Sequence, residues 1–422
     1  MPEIKAFKGI CYNQKKVSLA SVVAPPYDVI TPVQQNNLYE ESDYNIVRLI
    51  LGREENRYEA AASAYNQWRK EGVLAQDEQP ALYVLTQTMM TQDGKQITRK
   101  GFISLCKLEE LGKGSVMPHE KTLAKPKEDR LKLFNATNAI FSQIFSLYSD
   151  PQFELNEILY NITTTKPSAE VEYEDVLNRV WKLTDEKNIA TVQEFFKDKN
   201  VLIADGHHRY ETALAYSQDK KAANPNHTGD ELYNYVPMFF TNMNDPGLII
   251  YPTHRILHSL AEFDTSNFVE KLEDYFRITL YSNQNELLKH LPVKNNNIGL
   301  VLPTAIGFIL LELKSLVPMK ELGVPDVLAK LDVSILHTLI LKHVLGISEE
   351  AQLQKLNLHY VKDAQQAVNI IKDKKAQAAF ILNATPIEQV YEAAEAGYVL
   401  PQKSTYFYPK LLSGLVLFSF VD

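Results

Sequence analysis

The chain has little cysteine: two residues in 422, Cys11 and Cys106. Two cysteines build neither a disulfide framework nor a cysteine-based zinc site, and a reducing cytoplasm fits that usage. Long apolar runs are lacking too. Those present, such as Phe308-Ile309-Leu310-Leu311, fall far short of membrane-spanning length, so no membrane partner is expected. The first residues, Met1-Pro2-Glu3-Ile4-Lys5, hold no apolar stretch of the kind a signal peptide needs. Positive charge is in deficit: 44 Lys and Arg against 52 Asp and Glu, a net charge of −8. A broad nucleic-acid surface wants the opposite balance, so nucleic acid is excluded as a partner, although a small basic pocket is not. There is no internal repeat and no low-complexity tract. No Walker A sequence, Gly-x-Gly-x-x-Gly loop or Gly-x-Ser-x-Gly elbow occurs. His119-Glu120 is followed by no second histidine at the spacing of a zinc helix.

What is present reads as an ordinary globular protein, 45% hydrophobic and 23% charged, with length for two or three domains. Tyr58, Ala61, Ala62, Tyr65 and Trp68 recur at helical spacing, with Gly72 as the stop. Residues 82–91 and 96–107 flank Asp93-Gly94, the strongest short hairpin signal. Strand-like runs at 144–148, 180–183, 201–204, 236–242 and 248–251 alternate with helical ones at 128–138, 156–165, 192–197 and 210–216. The polar stretch 219–229 reads as an exposed loop. Further on, 298–302 and 306–313 suggest a hairpin around Pro303-Thr304, and 333–345 a long apolar helix. Residues 363–374, 378–382 and 387–396 read as helix, strand and helix. The alternation predicts an α/β fold with mixed sheets. Three stretches are expected: a mixed region at 1–114 with the hairpin, a core at 115–260 carrying the polar clusters, and a C-terminal α/β region at 261–422.

The densest polar cluster is Asp205-Gly206-His207-His208-Arg209. It follows the apolar run Val201-Leu202-Ile203-Ala204 and precedes a helical one, so it occupies a strand-to-helix turn. A helix N-terminus offers unpaired N–H groups and the positive end of a dipole, where phosphate binds readily. Arg209 can hold a phosphate by two parallel bonds. Asp-Gly is also an ordinary turn, and adjacent histidines point about 100° apart on a helix, which weakens a metal reading. A second cluster, Pro118-His119-Glu120-Lys121-Thr122 with Lys125, Lys127 and Arg130, offers an acid/base pair and cations, or simply a charged loop. A third, Tyr251-Pro252-Thr253-His254-Arg255, repeats the order strand end, turn, His and Arg. A fourth, Lys403-Ser404-Thr405-Tyr406-Phe407-Tyr408-Pro409-Lys410, places lysines about an aromatic edge strand. In the fifth, Pro25-Pro26-Tyr27-Asp28, the aspartate can orient a substrate amine or merely close a turn.

Taken together, Ala24-Pro25-Pro26-Tyr27-Asp28, Pro118-His119-Glu120, Asp205-Gly206-His207-His208-Arg209-Tyr210-Glu211, Pro252-Thr253-His254-Arg255 and Lys403-Ser404-Thr405 resemble a large bacterial family known only as a domain of unknown function, DUF1015. More remotely, the Asp-Gly-His-His-Arg turn resembles the phosphate-binding turn of the ParB/sulfiredoxin superfamily, above all its free-serine kinases. Those kinases carry a Pro-His-Glu motif whose glutamate is the general base. The resemblance implies a ParB/sulfiredoxin-like core with N- and C-terminal α/β additions. It implies Glu120 as base beside His119, with Asp205, Gly206, His207, His208 and Arg209 on phosphates and Mg²⁺, and Asp205 as the metal ligand. Arg130, Lys125, His254 and Arg255 would add phosphate contacts. Tyr27, Asp28, Lys403, Ser404 and Thr405 would face the substrate. Between Glu120 and Asp205 the chain carries an additional helical segment, roughly 130–165.

The expected activity is Mg²⁺-dependent phosphoryl transfer on a small hydroxylated metabolite, L-serine or O-phosphoserine, in the kinase or the phosphatase direction, with ADP or ATP as nucleotide. Such transfer needs positioning and charge neutralisation more than covalent chemistry. Two alternatives stay open: a nucleotide-binding regulatory module of ParB type, and a metal-dependent hydrolase built on His119, His207, His208 and His254. A homodimer is compatible with the sequence.

Overall fold

A strand whose side chains are apolar on both faces must be covered on both faces, and this chain supplies several. Tyr235–Asn242 and Ile144–Tyr148 are buried along their whole length. The structure, a computed structural model, describes residues 2–91, 94–120, 124–293, 296–303 and 307–421, without the side chains of 124–126 and 293. The fold is mixed α/β. The chain gathers into two compact units: residues 1–118, 122–249 and 409–422 form the first, and 119–121 and 250–408 the second.

Among the described residues the first unit holds a nine-stranded sheet. Its strands are β1 (Ile4–Lys5), β2 (Leu82–Met90), β3 (Gln96–Lys107), β4 (Val116–Met117), β5 (Ile144–Tyr148), β6 (Ala169–Tyr173), β7 (Val176–Leu183), β8 (Val201–Asp205) and β9 (Tyr235–Asn242). They lie in the order β4-β8-β5-β9-β3-β2-β7-β6, with β1 on β3. Strands β2 and β3 form the expected antiparallel hairpin, with Met90 opposite Gln96. Gly94 takes φ +77° at its turn, while Asp93 lies outside the described residues. β5 runs parallel to β9 and antiparallel to β8. The register of β8 slips beside the polar cluster: Ile203 faces Ser146, but Asp205 faces Phe145. Ala204 is therefore an extra residue, a bulge of the kind that re-aims the side chain after it.

Three helices of this unit matter to the site. Helix α1 (Arg57–Lys70) buries Ala61, Tyr65 and Trp68, as the spacing predicts. Helix α2 (Ala124–Thr137) packs on α1 and on α3 (His207–Ala223). Asn138, at φ 47°, ends α2 in the left-handed region. The polar stretch 219–229 differs from expectation. Helix α3 runs through Asp219 to Ala223 before the loop begins, because Lys220 and Lys221 suit the negative end of the dipole.

The second unit carries a six-stranded sheet among its described residues. Its strands are β10 (His254–Leu257), β11 (Phe276–Tyr281), β12 (Asn297–Val301), β13 (Phe308–Leu313), β14 (Leu358–Val361) and β15 (Ala378–Ile381). The order is β11-β13-β12-β15-β10-β14. The hairpin read from 298–313 exists, with Val301 opposite Phe308; Thr304 and Ile306 lie outside the described residues. A core of Ile256, Val301, Val368, Ile371 and Ile381 covers one part of the sheet. His254 and Arg255 follow the strand Ile249–Tyr251 after the break Pro252-Thr253, in the order read, but they open the buried strand β10 and do not face an exposed turn. One reading needs correction. Residues 333–345 are not one regular helix. Asp332–Ser334 is a single α-turn, and Ile335–Val344 continues as a π-helix.

The tightest approach in the first sheet is at Gly101 on β3, where a methyl group would collide with the Phe240 carbonyl of β9. Gly101→Ala is expected to destabilise the protein by about 1–3 kcal/mol through overpacking. A lowered urea midpoint at unchanged m-value checks this.

Candidate functional site

In the first unit the strand-to-helix turn is built as the sequence suggests. Gly206 takes φ +96° and caps α3, a helix of 17 residues. Its left-handed conformation is one that glycine adopts without steric cost. The cluster is more internally wired than its sequence shows. Arg209 is buried: its Nη1 donates to the Gln143 carbonyl, and its Nη2 to Asp205 Oδ2 at 2.9 Å. The other oxygen, Asp205 Oδ1, accepts from Lys410 Nζ at 2.7 Å. The one carboxylate thus carries two cations, and the side chains of Asp205 and Lys410 stay 21% and 15% exposed. His207 is buried and His208 partly so. Glu211, one turn on, pairs with Lys127 at 2.7 Å.

Tyr27 and Arg130 belong to the same group. The Arg130 guanidinium lies 4.2 Å from the centre of the Tyr27 ring and donates to the Ile50 carbonyl at 2.7 Å and to Asp129. Burial raises the Tyr27 hydroxyl pKa, and the Arg130 and Arg209 charges oppose that rise. Asp28 is exposed on the turn. The side chain of Lys125, and Lys121 and Thr122 entirely, lie outside the described residues. Beneath β5, Arg99 is fully buried with its guanidinium 4.5 Å from the Phe145 ring centre, and burial lowers its pKa to about 9. It donates to Gln87 and, at 2.7 Å, to the Pro409 carbonyl.

In the second unit the structure brings His119, Glu120, Arg255, Lys403, Ser404 and Thr405 together. His119 is fully buried, its Nε2 2.9 Å from Thr405 Oγ1 and 3.9 Å from Glu120 Oε1. The His119 carbonyl accepts from Leu400 N–H at 2.8 Å, and Glu120 bridges Leu400. Arg255 is buried among carbonyls: Thr253 O, Lys403 O at 3.0 Å and Gln402 O at 3.4 Å. Burial pulls its pKa down to about 10, with Tyr360 and Glu120 acting the other way. Burial and the Lys403 charge likewise lower Lys355, against Glu120. Glu120 therefore faces a set of cations. Lys403 holds φ 58°, a left-handed backbone that is costly for a side chain of this kind. Ser404 Oγ donates to Pro401 O, and its carbonyl accepts from Thr385. His254 is buried in β10 and accepts from Leu382 N–H at 3.2 Å.

Several partners were not legible. Lys410 read as the flank of an aromatic strand, and nothing local ties it to Asp205. Arg99, Lys355 and Tyr360 carry no motif. A buried arginine inside an apolar hairpin arm was the one available signal, for Arg99. Among the described residues no three His, Cys, Asp or Glu side chains converge as a metal set, so the hydrolase alternative finds no ligand group there.

A family model described as "Protein of unknown function (DUF1015)" matches residues 4–334. The chain belongs to the DUF1015 family. No curated protein matches this DUF1015 chain. Solved structures do. A conserved hypothetical protein from Pyrococcus furiosus is 12% identical, with TM-score 0.35, over 72% of this chain and 92% of that one. A free serine kinase in complex with AMP is 14% identical, with TM-score 0.35, over 72% and 97%. SbnI from Staphylococcus aureus, truncated at its C-terminus, is 11% identical, with TM-score 0.36, over 74% and 85%. No helix among the described residues is long and apolar enough to cross a membrane.

The buried groups of the second unit fix a pH dependence. Burial holds His254 at about 4 and His337 at about 3, with the Arg255 charge adding to both. The unfolded chain protonates both near 6.5, so the folded form binds fewer protons and loses stability as pH falls below that value. Asp332, raised to about 6 by burial, has the opposite sign and gains stability as pH falls through 6. Two groups outweigh one, giving a net loss of about 1.4 kcal/mol per pH unit between roughly pH 6 and 5. Denaturant midpoints across that window check it, and His337→Gln should bring the slope close to zero.

Proposed function

We propose that this protein transfers a phosphoryl group to or from a small hydroxylated metabolite, L-serine or O-phosphoserine, with a nucleotide as the second substrate. The observation that carries the reading is the charge balance at the Asp205 turn. One carboxylate is set against Arg209 and Lys410, at the N-terminus of a long helix. The sum is a positive, partly exposed turn of the kind that holds phosphate. Lys410, the more exposed of the two cations, is the group that reaches a phosphate oxygen. Arg209 anchors the carboxylate. The N–H groups that follow Gly206 complete the cradle.

Magnesium enters with the nucleotide. Both oxygens of Asp205 already carry a cation, and no group of three His, Cys, Asp or Glu side chains converges among the described residues. The residues present therefore do not fit a protein-held metal ion, and no step depends on one. Mg²⁺ commonly binds through substrate phosphates and water, which is the role left for it. Glu120 is taken as the base from the resemblance of Pro118-His119-Glu120 to the Pro-His-Glu motif of the free-serine kinases. In support, its carboxylate lies 3.9 Å from His119 and close to the Arg255 and Lys355 charges. An ionised carboxylate accepts a hydroxyl proton when an acceptor oxygen lies within hydrogen-bond reach.

³¹P NMR tests this with Mg²⁺ present and O-phosphoserine alone, O-phosphoserine with ADP, or serine with ATP or ADP. A new phosphate ester or free phosphate is expected in at least one mixture. Glu120→Gln should cut that turnover by about 10²–10⁴-fold with nucleotide affinity retained. Lys410→Ala should weaken binding of the phosphate compound by about tenfold or more, the worth of one charge-assisted bond. Silence in every mixture removes serine as substrate. Equal loss of binding and turnover in Glu120→Gln makes that residue structural.

A further inference from the structure

Residues of the second unit between Leu322 and Gln402 line a half-open cavity of about 300 Å³, within the range that small-molecule sites occupy. One wall is the π-helix Ile335–Val344. Its wide winding is visible where Leu345 N–H reaches back five residues to the Ile340 carbonyl at 3.0 Å. Such turns are rare and gather at functional sites. Leu328, Leu353 and Val399 supply apolar surface, and Ser334, Thr338 and Tyr360 supply hydroxyls.

The charge state of the lining selects the ligand. His337 Nε2 accepts from Arg255 Nε at 3.2 Å, which leaves the ring proton on Nδ1 to donate to Gln352 Oε1 at 2.7 Å. The Gln352 amide donates to the His337 and Ile347 carbonyls. These two side chains are committed to each other, and burial keeps the imidazole neutral. Lys342 and Glu349 neutralise one another at 2.7 Å. The hydroxyls of Ser334, Thr338 and Tyr360 have no protein partner among the described residues, although Ser334 is only 4% exposed. The lining thus offers three uncommitted hydroxyls on an apolar wall and no unpaired charge. An ion entering it would lose its hydration without a counter-charge.

We propose that this cavity is a binding site for an uncharged, largely apolar small molecule bearing hydroxyl, carbonyl or amide groups. The inference does not rest on the phosphotransfer reading. The occupant touches Leu400, whose N–H holds the His119 carbonyl at 2.8 Å, so it bears on the segment that carries Glu120.

Methyl NMR of the full chain, with 4-hydroxybenzamide as the neutral probe, tests the proposal. Its charged analogues 4-hydroxybenzoate and 4-hydroxybenzylamine are titrated in parallel. Saturable shifts of the Leu328, Thr338, Leu353, Val399 and Leu400 methyls are expected with the amide, with affinity at least tenfold weaker for either ion. Leu328→Trp fills the cavity and should abolish the response, its fold verified by unshifted methyls of the second unit's core, such as Val368 and Ile371. Thr338→Val should weaken the amide severalfold. The proposal is overturned if the amide shifts none of these methyls, if either ion binds as well, or if Leu328→Trp responds like the parent.

Discussion

A guanidinium taken out of water must find an acceptor for its N–H groups or leave a costly orphan, and this constraint organises both units. Arg209 is clamped on the Gln143 carbonyl, Arg99 on the Pro409 carbonyl and Arg130 on the Ile50 carbonyl. Arg255 is clamped on three carbonyls at once. Each guanidinium reaches at least one carbonyl distant in sequence, and the Pro409, Gln402 and Lys403 carbonyls lie in or beside the polar stretch 403–410, so Arg99 and Arg255 help to hold that stretch in shape. Removing Arg255 strands three carbonyls at once, while removing Arg209, Arg99 or Arg130 strands one and also frees that arginine's side-chain partner.

This bears on how such clusters are read. Arg209 stands out in sequence as a phosphate ligand. In the folded chain it spends its bonds on Asp205 and Gln143, and Lys410 is the less buried of the two cations on Asp205. The same division holds in the second unit. Arg255 is a buried fastener, while Lys403 and Lys355 lie near Glu120.

The regular elements were largely legible because their signals are local. The spacing of Tyr65 and Trp68, the Asp93-Gly94 turn and the mostly apolar run of Ile144–Tyr148 need no knowledge of the rest of the chain. Three features were hidden because they depend on pairing. The bulge at Ala204 exists only in the register of β8 against β5. The π-winding of 335–344 leaves no mark in an apolar periodicity. The burial of His254 and Arg255 inside β10 follows from neighbours more than 100 residues later, such as Leu358–Val361 and Phe380. The site was legible as motifs and hidden as wiring: Asp205 with Lys410, and His119 with Thr405, are contacts across about 200 and 290 residues.

The route of the chain also sets an order of events. Residues 409–422 belong to the first unit, yet a ribosome makes them only after the whole of the second. Until then Asp205 has no Lys410, Arg99 lacks the Pro409 carbonyl, and Ile10 and Ala24 lack their bridges to Leu417 and Ser413. During synthesis the large sheet must wait with its turn half-charged and a strip of its core uncovered. A chain that stopped before Lys410 would therefore carry every motif of the strand-to-helix turn and still present a differently charged surface there.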